Sequence, residues 1–477
     1  MSVSNHAAAP FDALLVTLAD YASTPEPRFP SRAHDMAALC LMDALACLAP
    51  ALDDADCRRI LGPIVPGATF AQGARVPGTS LALDPVRAAF STSALIRWLD
   101  FSDTTYNGGH PSDNIGAILA CADYRDRNSD ATLTMADVLD ALIIAYEIQG
   151  QLADACKFDA PAVGLDAVLA VKIASAAAAA RLLGGTRDQV LNAISSAFVD
   201  GPTLNVHRHP PNSGTRKGWA GARAASSGVE LALMAVGGEQ GYPTALTAKP
   251  WGFYEVMLGG KAITLKAPLG SAVVEQVIFK LLPCQRNGTT AVEAALQLHP
   301  TIAERLSEIR EVVVYTHAEA LERIDNGNVL HNAAARDHSL QFMVAAALVH
   351  GALTGAHYHP PLASDVRVLD VIPRVRLVEH PQYTAGYRDP AERSCANAVQ
   401  VVLRDGSHTD RVEVRYPAGH PARRAALRPA LEEKFFSAVR GLYSSERCES
   451  LRALFTDAER LAALRVSHYM SLLCPEA

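Results

Sequence analysis

Through most of the first 265 positions, apolar residues recur at the three-to-four spacing that lines one face of a helix. The clearest case is residues 133–155. Thr134 is followed three residues later by Asp137, an arrangement that lets the two residues satisfy free amides at a helix start, and the run continues as VLDALIIAYEIQGQLADA. A second start is read at Thr186, with Gln189 three residues on, directly after the Gly184-Gly185 stop. The helices either side of that stop form a hairpin. The run before it, residues 163–185, has the look of a membrane span. However, Asp166, Lys172 and Arg181 interrupt it and its many alanines contribute little hydrophobicity, so a buried, closely packed helix is expected instead.

Past residue 265 the pattern changes. The β-branched content of residues 309–316 (IREVVVYT) and 374–378 (RVRLV) predicts strands, and residues 398–403 and 411–416 flank a turn at Asp405-Gly406. Helices fill the gaps, one of them beginning near Asp337, and residues 423–473 are helical again. The expected fold is mainly α. A large all-helical domain takes in residues 1–265 and is completed by residues 421–477, with a smaller α+β domain inserted at 266–420.

Composition narrows the function. With 49% apolar and 19% charged residues over 477 positions, the chain can bury a large core and is not a disordered polymer. A net charge of −7 and the absence of a basic run argue against a nucleic-acid partner. The nine cysteines are odd in number and never spaced C-x-x-C, which argues against a disulfide framework, a zinc knuckle or an iron–sulfur cluster. They are expected to be small buried hydrophobes in a reducing compartment. The N-terminal MSVSNHAAAPFDALL lacks the basic start and apolar run of a secretory signal, so a cytoplasmic protein with no membrane partner is expected.

Three polar clusters could carry chemistry. The loop WLDFSDTTYNGGHPSDN gathers Asp100, Asp103, His110 and Asp113 among turn-forming residues, and carboxylates beside an imidazole are what proton transfer needs. Asp and Ser before a helix are also ordinary caps. The segment NVHRHPPNSGTRKGWAG packs His207, Arg208, His209, Arg216 and Lys217 into one stretch of an acidic protein. Guanidinium groups bind carboxylates bidentately and an ammonium acts as a point charge, so this cluster suits a di- or tricarboxylate, or else forms a solvated loop. The two histidines lack a ligand-rich partner motif, so no metal site is assigned. In HNAAARDHSLQF, Arg336, Asp337 and His338 lead into an apolar helix for which Asp337 is a plausible cap. No nucleophile elbow, phosphate loop or dinucleotide fingerprint is present.

Taken in order, RWLDFSDTTYNGGHPSDNIGAILA, AYEIQG, VGLDAVLAVKIAS, RHPPNSGTRKGWA, GYPTALTAKPWGF, TAVEAA and ARDHSLQFMVAAAL resemble the MmgE/PrpD family along most of the chain. The segment at Arg208, His209, Pro211, Asn212, Gly214, Arg216 and Lys217 is similar to the RH-x-PN-x-G-x-RK signature of the 2-methylcitrate dehydratases in that family. The resemblance implies a helical domain built from both chain ends, a smaller α+β domain, an active site between them and a homodimer. It implies a hydro-lyase that removes water from 2-methylcitrate or a related alkylcitrate or citrate, without metal or other cofactor.

By the same resemblance, Asp103, His110, Lys217 and His209 are the expected catalytic residues. Asp103 and His110 transfer protons, with the base left open between them. Arg208, Arg216, Arg336 and His338 are expected to bind the substrate. The chain departs from the usual family pattern at Gln285 and Asn287, where Glu and His are usual, and at Ala167, where His is usual. These departures keep two alternatives in view: a cis-aconitate decarboxylase or isomerase on the same scaffold, and a non-catalytic carboxylate-binding paralogue.

Overall fold

The computed structural model of the protein describes residues 9–25, 29–106, 109–209, 211–327 and 330–475. The start of the chain, where no secretory signal was read, and Asn107 and Gly108 of the acidic loop lie outside the described residues. Among the described residues the structure is mainly helical, with one four-stranded sheet and a two-stranded one, Ala74–Arg75 with Ala82–Leu83, which lies inside the segment expected to be all-helical.

The Met135–Ala155 helix starts as its sequence predicts, with the Asp137 carboxylate accepting from the Thr134 amide at 2.8 Å. At Arg187–Val199, Thr186 and Gln189 cap each other, Gln189 Oε1 accepting from the Thr186 amide at 2.8 Å. Between them, Val168–Leu182 is a helix buried along nearly its whole length. Its one interior cation, Lys172, donates to the carbonyls of Asp200 and Gly201. One helical run, Ser31–Leu52, is long and apolar enough to cross a membrane, and 67% of its apolar window is buried inside the fold.

The Arg216–Val236 helix packs against both Val168–Leu182 and Pro85–Arg97. Glycine makes this closeness possible. A Cβ at Gly228 would sit 2.7 Å from the Lys172 carbonyl, well inside van der Waals contact.

In the four-stranded sheet, Ile309–Thr316 lies between Val375–Glu379, which it pairs in parallel, and Asn397–Leu403, which it pairs antiparallel. Val412–Val414 closes the far edge, after a turn at which Gly406 takes φ +87°. The helix expected near Asp337 is Leu340–His350, and its cap is Ser339, whose hydroxyl accepts from the Phe342 amide at 3.2 Å. Asp337 is engaged elsewhere.

Buried apolar side chains form two main cores. One joins residues from Leu15 to Phe279 with Leu427 to Leu473, and the other runs from Cys284 to Val414. All nine cysteines are free, and Cys156 and Cys474 are partly exposed while the other seven are buried.

Candidate active site

Asp100 follows the end of the Pro85–Arg97 helix with φ +52°, a left-handed conformation that short polar side chains tolerate better than most. The turn aims its carboxylate at three nitrogen groups. Arg97 Nη1 donates to Asp100 Oδ1 at 2.8 Å, Lys280 Nζ at 2.7 Å, and His110 Nε2 lies 3.2 Å from the same oxygen. Burial alone would push the Asp100 carboxyl up, but Lys280, Arg97 and His110 outweigh it and hold it well below the usual carboxylate range. The His110 imidazole is pushed the other way. Burial, with Arg97 and Lys280 adding like-charge repulsion, lowers it to about 3 and keeps it neutral.

Lys217 enters from the first turn of the Arg216–Val236 helix. Its ammonium donates to Asp337 Oδ1 at 2.5 Å and lies 2.8 Å from His338 Nδ1, which is itself 2.9 Å from Asp337 Oδ1. Burial lowers the lysine despite the attraction of Asp337, and burial and the neighbouring lysine lower His338. Polar atoms of Asp100, Asp337 and His338 all lie within 4.8 Å of one another. The acidic loop and the Lys217 network therefore meet, with His110 and His338 both close to the Asp100 carboxylate.

His110, Asp100 and His338 line a cavity of about 570 Å³, together with Arg97, Thr104, Asp113 and Lys280. The same cavity is lined by Asp166, Ala167, Val168, Arg208 and His209. Arg208 grips Asp166 through Nε and Nη2 at 2.8 and 3.1 Å. Although burial opposes it, Arg208 and His207 hold the Asp166 carboxyl far below its ordinary value. His209 Nε2 lies 3.2 Å from the Asn205 amide nitrogen. Asp113 is buried, one of its oxygens having no hydrogen-bond partner among the described residues, and burial pushes its carboxyl up to about 7.

The remaining expected site residues lie elsewhere. Asp103 is not among the cavity-lining residues. Its oxygens accept from the Tyr146 hydroxyl at 2.7 Å and the Ser112 amide at 3.2 Å, and burial and the nearby Asp43 raise it to about 6. Arg216 packs over the Trp219 ring, 4.5 Å from its centroid. Arg336 donates to the Tyr358 carbonyl at 2.8 Å and lines a separate cavity of about 250 Å³ together with Lys217 and Asp337, neither of which is among the residues lining the large cavity. Of the departures from the family pattern, Ala167 and Gln285 line the large cavity. Asn287 is fully buried, and its carbonyl accepts from Asn397 at 3.0 Å.

Arg97 and Lys280 were not singled out from the sequence. The available signal was a single cation inside an otherwise apolar run, SALIRWL and VIFKLL, which folding must pair with a buried anion.

Residues 16–266 match the MmgE/PrpD N-terminal domain and residues 282–459 the MmgE/PrpD C-terminal domain. The chain belongs to the MmgE/PrpD family. It is 45% identical over 471 residues to a protein of Cupriavidus necator named 2-methylcitrate dehydratase, covering 97% of both chains. The protein of that name from Escherichia coli K12 is 44% identical over 473 residues, again covering 97% of each. A mitochondrial 2-methylcitrate dehydratase of Yarrowia lipolytica is 42% identical over 434 residues, covering 89% of this chain and 83% of the other.

Proposed function

We propose that this MmgE/PrpD protein is a hydro-lyase that eliminates water from 2-methylcitrate, or a closely related alkylcitrate or citrate, to give an aconitate-type product. The observation that carries the reading is a cavity where two neutral imidazoles and several cations surround one carboxylate, in a chain so similar to proteins of that name. Elimination breaks a C–H bond beside a carboxylate and a C–O bond, and forms a C=C bond. A base must take the proton, and the hydroxyl must leave as water.

His110 is the base in this reading. Donating a hydrogen bond from Nε2–H to Asp100 leaves the lone pair on Nδ1, and the negative charge of an arriving tricarboxylate raises the affinity of the imidazole for a proton. His338 is the acid. Lys217, made more acidic by burial, supplies a proton at Nδ1 as the imidazole releases one from Nε2 to the departing hydroxyl. Asp337 positions Lys217, while Arg208, Lys280 and His209 hold substrate carboxylates against charge build-up in the transition state. Asp103 acts at one remove, fixing the loop through Ser112 and Tyr146.

A metal is not needed in this scheme. The Asp100, Asp337 and His338 group already faces Arg97, Lys280 and Lys217, whose charges oppose a divalent cation. Cytoplasmic location and a homodimer belong to the same proposal, the latter supported by the exposed apolar side chains of Leu204 and Val206 beside the cavity. A division into two domains is supported by the two apolar cores, but Val274, Val277 and Phe279 pack in the first core, so the seam they favour lies near residue 280 and not at 265.

The test is to incubate the purified protein with 2-methylcitrate and with citrate and follow the near-ultraviolet absorbance of the conjugated alkene. A rise with 2-methylcitrate is expected. Carbon dioxide release without that product would select decarboxylation, and calorimetric binding without turnover would select a carboxylate-binding role.

A further inference from the structure

Five cations line the large cavity, and four have a carboxylate partner. Arg97 and Lys280 share Asp100, Arg208 holds Asp166, and Arg323 lies 3.4 Å from Asp159. The fifth is Arg286. Among the described residues it forms no ion pair; Nη1 donates to the Tyr106 carbonyl at 2.6 Å and Nη2 to the Tyr387 hydroxyl at 2.6 Å. Its guanidinium lies 5.4 Å from the Tyr106 ring centroid and 5.6 Å from that of Tyr387. The Nε makes no hydrogen bond among the described residues, yet the side chain reaches the cavity. A guanidinium held in place by neutral groups keeps its full charge and has a donor to spare. Such a group costs desolvation energy that a bound anion returns.

We infer that Arg286 is a specificity-determining residue that clamps one carboxylate of the substrate. This rests on the reading of the cavity as a tricarboxylate site. The clamp makes the site discriminate a tricarboxylate from the dicarboxylate that lacks the gripped group. The same side chain ties the acidic loop to the Gln285 segment, so a purely structural role must be separated from recognition.

Calorimetric titration of the wild type and of Arg286→Gln with three unreactive acids separates them: tricarballylate, glutarate (which lacks the central carboxylate) and methylsuccinate (which lacks a terminal one). Arg286→Gln is expected to weaken tricarballylate tenfold or more and to weaken one of the two dicarboxylates by less than threefold. Equal weakening of all three acids, no weakening, or no tricarballylate binding by the wild type overturns the inference. Because the titrations need no turnover, the clamp can stand even where the alkene assay fails, and the alkene assay can succeed where the clamp fails.

Discussion

Lys217 Nζ lies 2.8 Å from His338 Nδ1, although 121 residues separate them along the chain. Replacing Lys217 by Ala leaves the Asp337 carboxylate buried without its counter-ion. Losing one partner of a buried pair typically costs about 3–5 kcal/mol. The expected result is a fall in thermal midpoint together with a loss of turnover of about a hundredfold or more, read by calorimetry and by the alkene assay. Wild-type kinetics in Lys217→Ala would remove Lys217 from the site.

His338→Gln and His110→Gln keep a polar side chain and remove the imidazole proposed to transfer a proton. Each is expected to lower kcat by about 10²–10⁴-fold with a much smaller change in KM, the range usual for a general acid or base. Asp103→Asn, whose side chain does not reach the cavity, is expected to cost far less. A larger loss from Asp103→Asn than from His338→Gln would reverse this assignment.

Asp113 gives a pH signature. Its carboxyl is raised from 3.8 to about 7 in the folded chain, so between those values the folded state keeps a proton that the unfolded state has released. Stability therefore falls as pH rises from about 4 to about 7, by up to a few kcal/mol, and the penalty is fully present above that. Asp113→Asn removes it. The difference in thermal midpoint, variant minus wild type, is expected to be small near pH 4 and to grow through pH 7. A flat difference would show that the carboxyl titrates normally.

Gly221 sits on the Arg216–Val236 helix where a Cβ would lie 2.1 Å from Asp113 Oδ2. Alanine gains up to about 1 kcal/mol of helix propensity over glycine in an open helix. Here the clash is expected to win, so Gly221→Ala lowers the thermal midpoint, and adding Asp113→Ala restores part of it. An unchanged midpoint in Gly221→Ala would show that the loop shifts at little cost.

Local signals carried much of the fold. The β-branched run at Ile309–Thr316 and the reciprocal cap at Thr186 and Gln189 specify their elements without distant help. The helix start near Asp337 was harder, because Asp337 and Ser339 are both capable caps. The choice is made by Lys217, which takes the Asp337 carboxylate from far along the chain.

The site divides in the same way. His110, Arg208, His209 and His338 were legible as clustered polar residues, and all four reach the cavity. Asp100 and Asp103 stand on either side of Phe101 and Ser102 in one loop, and composition cannot say which faces inward. The left-handed turn at Asp100 and the Tyr146 hydroxyl decide that, and both depend on tertiary structure. Lys280 was hidden because it is one charge in an apolar stretch with its anion in another segment, and Arg97 because its pairing with Asp100, three residues on, depends on the left-handed turn at Asp100.

The lysine that meets His338 belongs to a helix of the first apolar core, while Asp337 and His338 precede a helix of the second. The proposed reactive centre thus forms only when the two cores are seated against each other. A preparation with every helix formed but this seating imperfect would pass for native by circular dichroism and be inert, so turnover gauges correct folding more sharply than helical content.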